Sequence, residues 1–238
     1  MTESDRAGEP LISVIVPIFN LQDHIGPCIQ SLRAQTHTTI QVLLIDDGST
    51  DASASRAREA MGDDPRLTLI SQKNEGLSAA RNVGLAAAQG EFIAFVDGDD
   101  RVAQDYLSAL LASLEAHPDM PWAACAIRNC HGDGSITPHS AIFDAPEASM
   151  APGTQRFAFR EASDVIRHYP SAWNKLYRRA FIGDLRFTVG SWFEDHAFYL
   201  ALALTAPGIV HLAAPLYEQT RGRPGQITET DSDRIFEQ

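Results

Sequence analysis

Cysteines and long apolar runs are scarce in this chain of 238 residues. Its three cysteines, Cys28, Cys125 and Cys130, form no CxxC pair and leave an odd count. This argues against a disulfide framework and a zinc knuckle, and it is typical of a reducing compartment. No stretch reaches the roughly 18 consecutive apolar residues that a membrane-spanning helix needs. Residues 1–10 lack a basic and then apolar pattern, so we predict a disordered tail without a secretory signal, on a soluble, cytoplasmic protein.

Positive charge is also scarce, because 19 basic residues stand against 31 acidic ones and the formal net charge is −12. This balance argues against sequence-independent binding of nucleic acids. The whole excess lies in residues 1–155, since residues 156–238 carry ten residues of each sign. Residues 156–186 hold seven basic and three acidic residues. This basic segment either forms a solvated surface or creates a local positive potential that attracts an anionic substrate or a membrane surface.

Apolar runs and amphipathic stretches alternate along the first half of the chain. Short apolar runs predict buried strands at residues 11–16, 41–45, 67–71 and 92–96. Helical spacing of apolar residues predicts helices at residues 23–35, 52–61, 77–88 and 103–116. Strands that alternate with helices are typical of βαβ units, so we predict an α/β fold with a mostly parallel sheet flanked by helices.

The second half of the chain is less regular. Apolar patterning predicts a fifth strand, two helices and a short strand with a turn, at residues 122–128, 163–168, 194–205 and 215–227 respectively. Residues 131–160 are rich in Gly, Pro and Ser and are expected to form loops and a hairpin. The last residues, 229–238, read either as the start of a further helix or as a truncated tail.

Three polar clusters follow predicted strands: PIFN (17–20), DDGSTD (46–51) and DGDD (97–100). In an open parallel sheet, ligands bind outside the carboxyl ends of the strands. Converging carboxylates repel one another unless a cation or hydrogen-bond donors offset them, so DGDD favours a divalent cation held by hard oxygen ligands. Gly98 would let the backbone approach a ligand closely. Taken singly, each cluster could be an ordinary capping or acidic turn, but their joint position favours a ligand site.

Further stretches extend this pattern: KNEGLSAARN (73–82), FVDGDD (95–100), AWNKLY (172–177) and FEDH (193–196). Together with PIFN and DDGSTD, they resemble the family 2 glycosyltransferases, which are inverting sugar-nucleotide transferases of the GT-A fold. The final part looks most like enzymes of bacterial capsule, exopolysaccharide and lipopolysaccharide synthesis. The QxxRW signature of processive synthases is not in the sequence, so transfer of one sugar per binding event is expected. The resemblance implies a single domain, with a nucleotide-sugar half at 11–120 and an acceptor half at 121–228.

The resemblance also implies a role for each matching residue on the donor side. Pro17 and Phe19 would line the slot for the base, and Asp47 would hold the base edge. Arg81 would reach the base or a phosphate, Asp97 a ribose hydroxyl, and Asp99 would bind Mn²⁺ or Mg²⁺ at the diphosphate. The complete set implied to bind the nucleotide-sugar is Pro17, Phe19, Asn20, Asp47, Lys73, Arg81, Asp97, Gly98 and Arg221. Of the pair Arg221 and Arg223, either could fold over the diphosphate or be merely solvated.

On the acceptor side, Asp195 in FEDH looks like the family's catalytic base, at the start of a helix. Trp173, Lys175 and Glu194 would bind the acceptor, with the indole face offered to a sugar ring. Trp173 and Lys175 could instead be a core tryptophan and a surface lysine. His196 is expected to cap the helix rather than to bind the metal.

The resemblance therefore predicts that the protein transfers a sugar, with the help of a metal ion, from a nucleoside-diphosphate sugar to a glycan or lipid-linked glycan. The expected donor is a UDP-sugar. A lipid-linked acceptor would bring the protein to the inner face of the cell membrane, and such enzymes are often homodimers. Two alternatives remain open. A sugar nucleotidyltransferase would show a glycine-rich GxGxR loop after the first strand, where this chain has PIFN. A non-catalytic homologue would bind nucleotide without transfer, and the intact Asp47, Asp99 and Asp195 argue against it.

Overall fold

The computed structural model describes residues 8–139, 153–191 and 193–223. Most of the predicted N-terminal tail lies outside these residues. The same holds for part of the predicted loop region at 131–160, the turn that follows residue 223, and the predicted final helix or tail at 229–238. All structural statements below concern the described ranges.

Within these ranges the chain forms ten strands and seven helices. The strands are β1 (Ile12–Ile18), β2 (Ile40–Asp46), β3 (Leu67–Ser71), β4 (Phe92–Phe95), β5 (Arg101–Val102), β6 (Trp122–His131), β7 (Ile136–His139), β8 (Thr154–Ala158), β9 (Lys175–Arg178) and β10 (Gly208–Arg221). The helices are α1 (Ile25–Arg33), α2 (Ser53–Met61), α3 (Leu77–Ala87), α4 (Tyr106–Glu115), α5 (Ala162–Ile166), α6 (Arg179–Ile182) and α7 (Glu194–Ala203). None of these helices combines the length and the apolar character that crossing a bilayer requires.

All ten strands join one mixed sheet in the order β3-β2-β1-β4-β9-β6-β10-β5, with β7 on β6 and β8 on β10. Strands β3, β2, β1 and β4 are parallel to one another. Strand β9 is antiparallel to both β4 and β6, and β10 is parallel to β6. The carboxyl ends of β1, β2, β4 and β10 therefore meet the amino end of β9 at one edge. The predicted α/β sheet flanked by helices is confirmed.

The core has two halves, one on each face of the sheet. In β1, Val14 and Val16 face the side covered by α1, α2 and α4, whereas Ile15 faces the side covered by α3 and α7. Successive side chains of a strand point to opposite faces, so a strand covered on both faces is apolar at nearly every position. This explains the continuous apolar runs in the sequence.

The predicted elements of the first half match the structure to within about two residues at most boundaries, and those of the second half match less well. The predicted short strand at 215–227 is wrong in extent, because β10 is a strand of 14 residues that begins at Gly208. Pro215 lies inside it, between two register shifts against β6. Proline has no backbone N–H to donate to the ladder, which is why it occurs in strands at such irregularities.

Candidate active site

A cavity of about 730 Å³ opens at the edge where the carboxyl ends of the strands meet. Its lining includes eleven of the residues singled out from the sequence: Pro17, Phe19, Asn20, Asp47, Arg81, Asp97, Gly98, Asp99, Trp173, Glu194 and Asp195. The strand order puts Asp47 after β2, Phe19 after β1, Asp97 after β4 and Trp173 before β9. Neighbouring strands lie about 4.8 Å apart, so β2 and β9, which flank this edge, are about 14 Å apart.

Asp47 is buried and anchors the loop that leads into α3. Its Oδ1 accepts hydrogen bonds from Gln72 Nε2 at 2.7 Å and from the Glu75 backbone N–H at 2.9 Å. Its Oδ2 accepts a hydrogen bond from the Gly76 N–H at 2.8 Å. Three donors therefore hold this carboxylate at the cavity wall, and its contact with a base remains a prediction.

Asn20 joins the loops that follow β1 and β2. It has a left-handed backbone, with φ of 53°. Its Oδ1 accepts a hydrogen bond from the Thr50 N–H at 2.9 Å, and its own N–H donates to Ser49 Oγ at 3.2 Å. The preceding residue, Phe19, is 46% exposed at the cavity. The cavity therefore has an accessible aromatic ring where the sequence predicted stacking with a base.

The acidic loop that follows β4 is held by the end of β10. Tyr217 is central, since its hydroxyl donates to Asp100 Oδ2 at 2.8 Å and accepts a hydrogen bond from the Asp97 N–H at 3.1 Å. The Thr220 N–H donates to Asp100 Oδ1 at 2.8 Å. Burial, reinforced by the charges of Asp99 and Asp97, raises the pKa of Asp100. Sequence reasoning missed Tyr217 and Thr220, because they lie almost 120 residues from the loop.

Gly98 packs closely against the protein itself, whereas its predicted approach to a ligand remains a prediction. A Cβ atom at this position would lie 2.8 Å from the carbonyl oxygen of Pro17 and 2.8 Å from Leu21 Cδ1. Such distances require the neighbours to move, and a backbone oxygen yields less easily than a side chain. The loop after β4 can therefore pack against the end of β1 only with glycine here.

Arg81 is buried and bridges two carboxylates from opposite sides of the cavity. Its Nη2 donates to Asp97 Oδ1 at 2.8 Å, and its Nη1 donates to Glu194 Oε1 at 2.5 Å. Burial opposes the charged form, but Asp97 and Glu194 outweigh it and raise the pKa of Arg81. Its Nε has no hydrogen-bond partner among the described residues. The fork thus connects the acidic loop to α7. Glu194 lines the cavity as well, and its contact with the acceptor remains a prediction.

Asp99 pairs with Arg223 beyond the end of β10. Its Oδ2 accepts a hydrogen bond from Arg223 Nε. Arg221 instead donates from Nε to Asn129 Oδ1 at 3.1 Å and does not line the cavity. The inclusion of Arg221 in the nucleotide-sugar site is thus corrected in favour of Arg223. Arg221 is the last residue of β10, and Gly222, with φ of 78°, turns the chain before Arg223. The two arginines therefore leave the strand in different directions.

The residues present fit a divalent cation that is shared with a substrate. The described part of the chain contains no group of three or more His, Cys, Asp and Glu side chains arranged to hold a metal. Mg²⁺ is usually bound through one or two carboxylates together with substrate phosphates and water. Asp99 supplies hard carboxylate oxygens at the cavity wall, so it suits a cation that a diphosphate helps to bind.

The amino end of α7 presents Asp195 to the cavity. Phe193 precedes the helix with a left-handed backbone, at φ of 53°. Its ring stacks on that of His196, with centroids 5.2 Å apart. Asp195 is partly exposed, and its Oδ1 accepts a hydrogen bond from the His196 N–H at 3.0 Å. A carboxylate at a helix amino terminus is stabilised in its charged form by the helix dipole.

Two predicted site residues, Lys175 and Lys73, do not line the cavity. Lys175 is buried behind the wall, and its ammonium group is surrounded by oxygens of residues 169–174. Its predicted contact with the acceptor is therefore wrong, because a buried cation is retained only where its hydrogen bonds are satisfied internally. Lys73 is exposed on the loop before α3. Trp173 borders the cavity but is only 5% exposed, and it packs in the core against Tyr217, with ring centroids 4.8 Å apart. This agrees with the alternative of a core tryptophan.

Sequence reasoning also missed Tyr169 and Gln219, which complete the cavity wall beside Trp173. Neither belongs to a recognisable motif. The signal that could have pointed to Tyr169 is its proximity in sequence to AWNKLY at 172–177. Gln219 could be found only from the pairing of β10.

Comparisons with known proteins agree with this architecture. Residues 13–186 match the family model described as "Glycosyl transferase family 2". The chain is 30% identical over 233 residues to EpsH of Bacillus subtilis (strain 168), which carries a glycosyltransferase name, and covers 65% of it. That alignment includes 96% of this chain.

Solved structures show the same fold. The TarS 1–349 structure from S. aureus, in complex with UDP-GlcNAc, superposes with a TM-score of 0.76 at 25% identity. The match covers 92% of this chain and 61% of that one. The mannosyltransferase PcManGT from Pyrobaculum calidifontis, with GDP-Man and Mn²⁺, has a TM-score of 0.65 at 20% identity, over 93% of this chain and 59% of that one. The chain thus spans less than two thirds of each of these proteins. With a family model that matches most of its length, it belongs to glycosyl transferase family 2.

Proposed function

We propose that this chain transfers a sugar from a UDP-linked donor to a hydroxyl of a glycan or lipid-linked glycan, one sugar per binding event and with inversion. One observation carries the proposal: a single cavity is lined by Phe19 and Asp47, by the acidic loop and by Asp195. These groups match the needs of a nucleoside, a diphosphate and an attacking hydroxyl respectively.

The nucleoside end of the cavity combines an exposed ring with a buried carboxylate. Phe19 can stack on a base through its π-face, and the Asp47 carboxylate can accept a hydrogen bond from the base edge. TarS, a relative in fold at 25% identity, binds UDP-GlcNAc, which supports UDP as the nucleotide. PcManGT, with GDP-Man, makes GDP the main competitor in the test below.

The centre of the cavity suits a diphosphate. Asp99 would hold Mn²⁺ or Mg²⁺, and such a cation offsets the negative charge of a leaving diphosphate. Arg223 lies against Asp99 and would bring a second positive charge to the same place. The Mn²⁺ in PcManGT is consistent with this assignment.

Asp195 would act as the general base. Its carboxylate accepts the proton of the acceptor hydroxyl as that oxygen attacks the anomeric carbon. The bond from this carbon to the diphosphate oxygen breaks as the new bond forms, and the electron pair leaves with the nucleoside diphosphate. A single displacement inverts the anomeric centre and requires no glycosyl-enzyme intermediate.

Thermal unfolding with UDP, GDP, CDP and dTDP, each with and without Mn²⁺, tests the donor side of this proposal. A ligand at about 100 times its Kd stabilises the native state by about 2.7 kcal/mol. We expect a Mn²⁺-dependent shift with UDP, and its loss in Asp99→Asn. Turnover of UDP-GlcNAc with release of UDP then tests the chemistry. A shift with none of the four nucleotides, or binding without turnover of any UDP-sugar, would favour a non-catalytic homologue.

A further inference from the structure

Lys175 is one of only two lysines in the chain, and it is 1% exposed. Its Nζ donates to the backbone oxygens of Tyr169 at 3.0 Å and Ser171 at 2.9 Å. It also lies within hydrogen-bond distance of Ser171 Oγ at 3.0 Å and Asn174 Oδ1 at 2.8 Å. Burial lowers the pKa of Lys175 to about 7, whereas four surrounding oxygens favour the ammonium form.

These four oxygens belong to one short segment, residues 169–174, which contains neither helix nor strand. Its carbonyl groups therefore lack the partners that regular structure provides. Asn174 has a left-handed backbone, with φ of 57°, and its Nδ2 donates to the Cys125 backbone oxygen at 2.7 Å. Lys175 thus holds the segment together through hydrogen bonds to its oxygens, and Asn174 connects the segment to β6.

The same segment supplies two aromatic rings to the cavity. Tyr169 and Trp173 both line it, with ring centroids 5.5 Å apart. Asp195 lines the same cavity. The segment that Lys175 holds therefore forms part of the wall of the cavity that also contains Asp195.

We propose that Lys175 is a positioning residue, which fixes the ring of Tyr169, backed by the buried ring of Trp173, as a platform for the acceptor sugar in the cavity that contains Asp195. The inference rests on the proposed function. Aromatic rings offer a flat apolar face with a large contact area. Removal of the ammonium leaves buried carbonyl oxygens unpaired, which favours rearrangement of the segment. A displacement of about 1 Å can lower the rate of a positioned reaction about 100-fold.

Lys175→Met tests the proposal, because methionine keeps the apolar stem and removes the charge. Transfer is measured from UDP-GlcNAc to p-nitrophenyl N-acetyl-β-D-glucosaminide. We expect the KM for this acceptor to rise at least tenfold, with the KM for UDP-GlcNAc and the Kd for UDP within twofold of wild type. An unchanged acceptor KM, or an equal loss on the donor side, would overturn the proposal.

Gln35→Met is the matched control. Gln35 is also buried, and its amide bonds to Ser31 O, Ala103 O and the Leu107 N–H, away from the cavity. It measures how far a comparable loss of buried hydrogen bonds alters kinetics through stability alone. We expect neither KM to change in this variant.

Tyr169 provides a second route if Lys175→Met fails to fold. We expect Tyr169→Ala to raise the acceptor KM about tenfold, and Tyr169→Phe, which keeps the ring, to stay within threefold. Where both single variants fold, the effect of Lys175→Met should be smaller in the Tyr169→Ala background, because the lysine acts through the ring. Full additivity would contradict a shared platform.

Hydrogen exchange separates failure of this inference from failure of the proposed function. Lys175→Met should speed amide exchange in a peptide spanning residues 163–174, and Gln35→Met should not. If wild type turns over no UDP-sugar, the proposed function fails and the platform with it. If wild type turns it over but exchange at 163–174 is unaltered, only the role of Lys175 fails.

Discussion

At the scale of single residues, the buried guanidinium of Arg81 is the clearest link between the two sides of the cavity. It contacts Asp97 on the loop after β4 and Glu194 on α7. Its carbon centre also lies 5.3 Å from the centroid of the Phe187 ring. Arginine suits this place better than lysine, because its planar fork donates to two carboxylates in different directions. One side chain thus contributes directly to the position of the acidic loop relative to α7.

Arg81→Met should destabilise the fold by about 3–5 kcal/mol, since it leaves two largely buried carboxylates without their counter-charge. Urea unfolding at neutral pH measures the effect. Arg56→Met is the control, because Arg56 forms an exposed pair with Glu59 on α2, and such pairs contribute about 0–1 kcal/mol. Equal losses in the two variants would mean that the Arg81 bridge adds no more than a surface pair.

Asp195→Asn should lower kcat about 10²- to 10⁴-fold, the usual contribution of a positioned general base. Asparagine keeps the shape of the side chain but cannot accept the proton. The thermal shift with UDP and Mn²⁺ should persist. Asp184→Asn, at an exposed carboxylate outside the cavity, should leave both quantities unchanged. A normal kcat in Asp195→Asn would rule out this residue as the base.

At the scale of elements, β10 does more than extend the sheet. It pairs with β6 along nearly its whole length, with β8 over its first residues and with β5 near the acidic loop. There Tyr217 and Thr220 hold Asp97 and Asp100 in place. A strand from the predicted acceptor half, β10, therefore holds a loop of the predicted donor half. The two predicted halves, divided at residue 120, are thus in direct contact at the acidic loop.

Tyr217→Phe tests this clamp. Loss of the hydroxyl leaves the Asp97 N–H and Asp100 Oδ2 without a shared partner, which should cost about 1–3 kcal/mol of stability. The affinity for UDP with Mn²⁺ should fall as well, because the loop loses its support. Tyr199→Phe is matched in burial and chemistry, since the Tyr199 hydroxyl donates to Val165 O at 3.1 Å. It should lose stability but retain UDP affinity, and parallel loss of affinity in both variants would contradict the clamp.

At the scale of the whole molecule, the described chain is one sheet with helices and a core on both faces, and its stability should depend on buried histidine. His211 on β10 is 1% exposed. Burial, together with the charges of His168 and Lys175, lowers its pKa to about 3. The unfolded chain titrates near 6.5. Between these values the unfolded state binds more protons, so stability must fall as the pH falls.

His211→Gln should remove this dependence. At pH 4.5 the proton taken up by unfolded histidine corresponds to about 2–3 kcal/mol. The free energy of unfolding of wild type should therefore drop by about that much more than the variant's between pH 7 and 4.5. Urea titrations at the two pH values measure the difference. Parallel losses would show that His211 is not kept neutral in the folded state.

Much of this molecule follows from local sequence. Apolar runs predict β1 to β4, and the intervening amphipathic spacing predicts α1 to α4, because each pattern depends on residues close together in the chain. The parallel arrangement brings PIFN, DDGSTD and DGDD to one edge, so their convergence could be predicted as well. Eleven of the residues chosen from motifs accordingly line one cavity.

Contacts between distant residues decided the rest. The sequence does not show that Lys175 turns inward to the oxygens of its own loop, nor that Arg223 rather than Arg221 meets Asp99. Arg81 is the sharpest example, because its partner Glu194 is 113 residues away. A local pattern determines which face of an element is apolar, whereas the partner of a buried charge is chosen by packing. The sequence by itself thus determined strands β1 to β4, the family and the loops at the edge of the sheet. The tertiary structure decided how the later strands join the sheet and which charges pair at that edge, because both depend on contacts between distant residues.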